Sequence, residues 1–148
     1  MRWMPHVTVA AIVEQGGRFL MVEERVEGRL VLNQPAGHLE DGEGLRDAVV
    51  RETYEETGWR FQPQAVVGLY RWRHPRNGET FLRIAFSGTC REHDPDRTLD
   101  ESITRSLWLE RGEILGEGNR LRSPLVMRGI DDYLAGNRYP LELLQDID

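Results

Sequence analysis

Three glutamates within five residues, Glu52, Glu55 and Glu56 in the stretch RETYEETG, are the residues of this chain best suited to chemistry. Their spacings put them on one face if the segment is helical, where like charges repel. They also sit near the end of such a helix, where the macrodipole disfavours negative charge. At about 100° per residue, Leu45, Ala48, Val49, Glu52 and Glu56 form one stripe, with Glu55 at its edge. A solvated acidic face would lie opposite an apolar stripe, but here the acids continue it. The helix is therefore expected to pack on a sheet at one end and to aim carboxylates into a cleft at the other. Clustered, partly desolvated carboxylates need counter-charge or take up protons. Arg51 is expected to neutralise at most one of them. Oxygen ligands gathered on one side suit Mg²⁺ or Mn²⁺, completed by water and substrate phosphates. The plain alternative is a surface helix with an acidic end.

The elements around this helix follow from periodicity and turn chemistry. The helix itself spans Leu45 to Thr57, is entered from the loop Asp41-Gly42-Glu43-Gly44, and is stopped by Gly58. Upstream, Pro5 to Glu14 alternates as a strand, Gln15-Gly16-Gly17 is a turn, and Arg18 to Glu24 is a second strand. These two strands are expected to form a hairpin. Leu30-Val31-Leu32 starts a short extended piece that runs into Asn33-Gln34-Pro35-Ala36-Gly37. Downstream, strands are expected over Ala65 to Trp72, Thr80 to Thr89 and Ser106 to Leu109, with a mobile polar loop from Glu92 to Asp100. Ser123-Pro124 opens a last helix, Ser as N-cap and Pro at the first turn, which ends at Gly136-Asn137. The pattern predicts a single α/β domain over residues 1–148.

Composition narrows the function classes. The net charge of −6 argues against a nucleic-acid polymer as partner. All 19 basic residues are arginine, so any side-chain grip on phosphate must use Arg rather than Lys. The single cysteine, Cys90, excludes an internal disulfide and has no neighbouring His–acid pattern for a nucleophile. No run approaches the roughly 18 apolar residues of a membrane span. The opening residues lack the features of a signal peptide. A cytoplasmic location is expected.

Reading along the chain gives Gly37, five residues, Glu43, seven residues, then Arg51-Glu52-Thr53-Tyr54-Glu55-Glu56-Thr57-Gly58-Trp59. This pattern resembles the Nudix box, with seven fixed identities matched over 22 residues and Thr53 at a position usually apolar. Further segments (PHVTVA, VEE, NQPAGHLE, TFLR, LRSPLV and RYPLE) resemble a bacterial phosphatase subgroup of that superfamily, from residue 5 to about 142. The resemblance implies an α/β/α sandwich with a mixed sheet and the box, residues 37–59, as loop–helix–loop. It implies divalent ions on Glu52, Glu55 and Glu56, with the Gly37 carbonyl as a further ligand. Glu43 and Arg51 are then expected to pair and position the helix.

The general base is open between Glu55 and an acid outside the box, Asp100 or Glu101. Arg83, Arg29 and His38 are candidate substrate contacts, and Arg71 and Arg73 also lie on predicted strands or their ends. Trp3, Tyr70, Trp72 and Phe81 are expected in the core rather than stacked on a base, as are Trp59 and Trp108. The resemblance implies Mg²⁺-dependent hydrolysis of nucleoside di- and triphosphates and pyrimidine pyrophosphates, including hydroxymethylpyrimidine pyrophosphate and thiamine pyrophosphate. Alternatives are ADP-ribose or dinucleoside polyphosphates as substrate, a non-catalytic nucleotide-binding module, and an RNA 5′-end hydrolase. A monomer or a homodimer fits equally.

Overall fold

A strand buried on both faces needs neighbours on both edges and cover above and below. The first apolar run meets that demand. In the computed structural model, which describes residues 2–148, β1 (His6–Ile12) is an interior strand with Val9, Ala10, Ala11 and Ile12 all buried. β5 (Ala36–His38) pairs antiparallel on one side of it and β7 (Thr80–Arg91) parallel on the other. β6 (Arg60–Arg73) completes this mixed sheet in the order β5–β1–β7–β6, with irregular register near Pro63 and Val66. Between β5 and β6 the chain forms α1 (Leu45–Thr57), closed by Gly58 at φ +76°, whose N–H donates to Tyr54 O.

The second sheet is antiparallel. β3 (Arg18–Val26) pairs with β2 (Glu14–Gln15) and β4 (Arg29–Asn33) on one edge and with β8 (Ile103–Glu110) on the other. The expected hairpin is therefore formed only at its turn. Glu14 and Gln15 pair with Phe19 and Arg18, while β1 leaves for the other sheet. Its two apolar faces are satisfied there and would not be in a two-stranded ribbon.

Helices cover the mixed sheet on both faces. Ala48 and Val49 of α1 pack with Val9, Ala11, Phe61, Ile84 and Phe86. On the opposite face Val126 and Ile130 of α3 (Leu125–Leu134) pack with Ile12, Val67, Ala85 and Ile114. Ile114 belongs to a short helix absent from the sequence expectations, α2 (Arg111–Gly116), which opens with a capping box between Glu110 and Glu113. α3 starts one residue later than expected, and Ser123 Oγ accepts from Leu125 N at 3.1 Å.

The segment 92–100, expected to be mobile, is tied to the end of α1. Asp94 N donates to Gly58 O at 2.9 Å and Asp100 N to Glu55 O at 3.1 Å. Trp3, expected in the core, is exposed, whereas Trp59 and Trp108 pack against the α1-side core. Among the described residues no helix is long and apolar enough to cross a membrane.

Candidate active site

The apolar half of the α1 stripe anchors the helix, and the same geometry carries the acidic half inward. Glu52 and Glu56 are buried, and Glu55 is half-buried at the edge. Thr53, in place of an apolar residue, is fully buried and satisfies its hydroxyl by donating to Val49 O at 2.8 Å. Carboxylate oxygens of Glu52, Glu55 and Asp100 lie within 4.8 Å of one another. Asp100 arrives through the loop pinned to Glu55, while Glu101 is exposed. Glu56 stands apart from that trio, and its Oε1 accepts from Ala36 N at 3.0 Å. Gly37 makes room for the cluster, since a Cβ there would overlap the Glu52 carboxyl.

Arg51 does more than the sequence suggested. Its Nε and Nη2 hold Glu43 as a fork at 2.7 and 3.0 Å, and its Nη1 donates to Glu52 and Glu55 at 2.7 and 2.8 Å. Nη2 also reaches His38 O at 3.1 Å. The planar fork lets one residue face several acceptors at once, so the expectation of a single neutralised glutamate is corrected. Arg51's hydrogen bonds hold the Glu43 carboxyl below its usual range. Burial pushes Glu52 up against the opposing pull of Arg51, and burial together with Glu55 raises Asp100. Glu56, buried without a cationic partner, is pushed up to about 9. One guanidinium thus faces a surplus of carboxylates. An all-oxygen donor set with excess negative charge fits a hard divalent cation.

A cavity of about 750 Å³ adjoins the cluster across β5. Gly37, His38, Arg29 and Arg83 line it, whereas Glu52, Glu55, Glu56 and Asp100 do not. Arg71 and Arg73 are exposed and are not among its lining. Trp72 and Phe81, expected in the core, line the cavity instead, their ring centroids 5.8 Å apart. Phe81 also stacks on His6 at 4.7 Å, and His6 Nδ1 lies 3.0 Å from His38 Nε2. Burial, His6 and Arg122 together hold the His38 pKa below its ordinary value. Tyr70 is half-buried and donates to Asp132 at 2.7 Å. Burial pushes the Cys90 thiol up to about 12, which suits a packing residue rather than a nucleophile.

Arg83 is only 6% exposed, and burial pulls its pKa down to about 10. Its Nη2 donates to Gln34 Oε1 at 2.9 Å and to Asn33 Oδ1 at 3.2 Å. Gln34 is itself buried and donates to Val126 O at 2.8 Å. Neither amide was singled out from sequence. The available signal was two amide residues directly before the Pro-Ala-Gly that enters the box.

Comparisons with known proteins agree with this geometry. The model of the NUDIX domain family matches residues 4–128. The protein named Phosphatase NudJ of Escherichia coli K12 is 44% identical over 144 residues, covering 97% of this chain and 93% of that one. The solved NUDIX hydrolase from Nitrosomonas europaea is 49% identical with a TM-score of 0.95, covering 97% of this chain and 98% of that one. The MutT protein from Methanosarcina mazei Go1 shares the fold at 22% identity and a TM-score of 0.70, covering 90% of this chain and 97% of that one. With the box helix, its acid cluster and these relatives in agreement, the chain belongs to the Nudix family and is a Nudix hydrolase.

Proposed function

We propose that this enzyme hydrolyses phosphoanhydride bonds in small nucleoside di- and triphosphates and in pyrimidine pyrophosphates, hydroxymethylpyrimidine and thiamine pyrophosphate among them. The observation that carries the reading is one strand, β5, whose Gly37 abuts the Glu52 carboxyl while the same residue and His38 border the cavity. Glu52, Glu55, Glu56 and the Gly37 carbonyl would hold Mg²⁺, with Mn²⁺ as a substitute. When bound, the ion supplies positive charge against the phosphate oxygens and lowers the pKa of a nearby water.

The chain's own residues do the rest. Arg51 and Glu43 lock the box loop to the helix and keep Glu52 and Glu55 oriented. Glu55 or Asp100 takes the proton from the attacking water. Burial raises Asp100, which favours proton acceptance nearer neutral pH. Arg29, His38 and Arg83 bind the substrate from the cavity wall. Similarity to proteins named phosphatase supports release of phosphate and not only pyrophosphate. The same reading takes residues 1–148 as one domain working in the cytoplasm on small molecules, as a monomer or homodimer.

The cavity volume also admits a longer diphosphate such as ADP-ribose or a dinucleoside polyphosphate. A panel of nucleotides, thiamine pyrophosphate, hydroxymethylpyrimidine pyrophosphate, ADP-ribose and dinucleoside polyphosphates, assayed with Mg²⁺ for both phosphate and pyrophosphate release, decides between them. Highest kcat/KM on a nucleotide or pyrimidine pyrophosphate is expected. No turnover of any member overturns the reading, and a clear preference for ADP-ribose or dinucleoside polyphosphates replaces it with the longer-substrate one.

A further inference from the structure

Building on the nucleotide-hydrolase reading, we propose that Tyr54 is a positioning residue, which clamps residues 92–100 onto the end of α1 and so holds Asp100 in the acid cluster. Glu52 and Glu55 reach that cluster from the helix itself, whereas Asp100 comes from outside it. Asp100 sits where the segment runs into β8, and Ile103 N donates to its backbone oxygen at 2.9 Å. That bond fixes where the segment ends. The path by which the chain enters is set by its contacts with the end of α1.

Tyr54 stands at a box position whose identity the pattern leaves free, and it supplies no oxygen to the acid trio. Its hydroxyl goes to the segment instead, donating to Asp94 Oδ2 at 3.0 Å. The other oxygen of that carboxylate accepts from Asp96 N at 3.2 Å, so one side chain joins the helix to the turn of the segment. The Arg97 guanidinium lies over the Tyr54 ring, 4.8 Å from its centroid, a cation–π contact. Arg97 Nε is buried with no hydrogen-bond partner among the described residues, so the ring is what holds this side chain. Arg97 is also within electrostatic reach of Asp100. Beside this clamp His93 stacks on Trp59 at 4.4 Å, its Nε2 3.1 Å from Thr57 O. Gly58 permits the approach, since a Cβ there would overlap Asp94 O. Pro95 and Asp96 between these anchors are exposed. An exposed segment opens at small cost, so a charge-assisted hydrogen bond at its anchor decides how firmly Asp100 is held.

Two variants test this from opposite sides. Tyr54→Phe keeps the ring and removes only the hydroxyl, and Asp94→Ala removes its acceptor and leaves α1 untouched. In the metal-free protein, amide hydrogen exchange at Asp94, Arg97 and Asp100 should quicken by roughly ten- to hundredfold in each, with the amides inside α1 unchanged. With Mg²⁺, each variant should lower kcat on the best substrate of the panel by roughly tenfold. In the Asp100→Asn background the same changes should cost nothing further, because the residue they position no longer works. Unchanged exchange at Asp100 in both variants overturns the proposal. So does an equal loss of kcat in the Asp100→Asn background, which would make Tyr54 a support of α1 alone, and so does near-wild-type turnover in Asp100→Asn itself. Absence of wild-type turnover across the panel overturns the proposed function instead, while the exchange measurement, which needs no substrate, still decides the clamp.

Discussion

At the scale of single residues, the box glutamates were legible because spacing and stripe position are properties of the sequence. Their individual environments were not. Glu56 is buried beside Ala36 N, and Glu55 shares Arg51 with Glu52 and Glu43. Arg51's reach to Glu43 depends on a loop folding back, and Asp100's arrival depends on backbone bonds at the end of α1. The Arg51–Glu43 pair was expected from the family resemblance and is present, and Asp100 was one of two acids expected outside the box, but local pattern alone shows neither contact.

Removing one carboxylate charge tests the residue roles. Glu55→Gln and Glu56→Gln should each lower turnover by at least roughly a hundredfold, the scale of a lost electrostatic contact at the reacting group. Far-UV circular dichroism should be unchanged, and near-wild-type turnover in either variant would remove that residue from the site. Gly37→Ala is the steric counterpart. The new methyl overlaps the Glu52 carboxyl, which can swing aside at small cost to stability but then leaves Arg51. Misplacement on the ångström scale can cost about a hundredfold in rate. A loss of at least tenfold in kcat, with little change in Tm, is therefore the expected result, and full activity would show that the Glu52 position is immaterial.

At the scale of elements, α1 and most strands were readable, and the errors have physical causes. Residues 92–100 look like a solvated loop in composition, yet their backbone completes the end of α1. Trp72 and Phe81 have core-like side chains but face a cavity, since hydrophobicity alone does not tell a packed wall from an open one. α1 also carries a pH signature. Glu56 has an unfolded-state value near 4.5 and a folded value pushed up to about 9 in the metal-free protein. Between those values the native state keeps a proton that the unfolded chain has released, so stability falls as pH rises. Glu43, held low by Arg51, has the opposite sign in a more acidic window, where its contribution is lost as pH falls through its folded value. In EDTA the Tm should therefore decline from about pH 5 to pH 9, and Glu56→Gln should flatten the decline. An unchanged slope in that variant would assign the titration elsewhere.

For the whole molecule, the α/β class and the box were visible in sequence, but the division into two sheets was not. β1 precedes a genuine two-glycine turn, yet its pairing is decided by β5 and β7, which lie far away in the chain. Long-range burial overrides the local hairpin signal there. The two-sheet arrangement sets Gly37 of β5 against the Glu52 carboxyl while Gly37 and His38 line the cavity, so on the proposed reading metal and substrate would meet at one strand. It also concentrates carboxylates in a chain of net charge −6, and on the proposed reading a bound cation would relieve that cost. A ligand that binds only the native state stabilises it by about 2.7 kcal/mol at a hundred times Kd. For a chain of 148 residues each kcal/mol moves Tm by about 2–4 °C. Saturating Mg²⁺ should thus raise Tm by roughly 5–10 °C over EDTA, and more at pH 8 than at pH 6, because Glu56 must give up its proton to bind. EDTA should abolish turnover, and Mg²⁺ or Mn²⁺ should restore it. Glu56→Gln should lose most of the thermal shift. A shift of equal size in that variant would remove Glu56 from the ion's ligands and leave the trio of Glu52, Glu55 and Asp100, and turnover persisting in EDTA would contradict a metal-dependent reaction at this site.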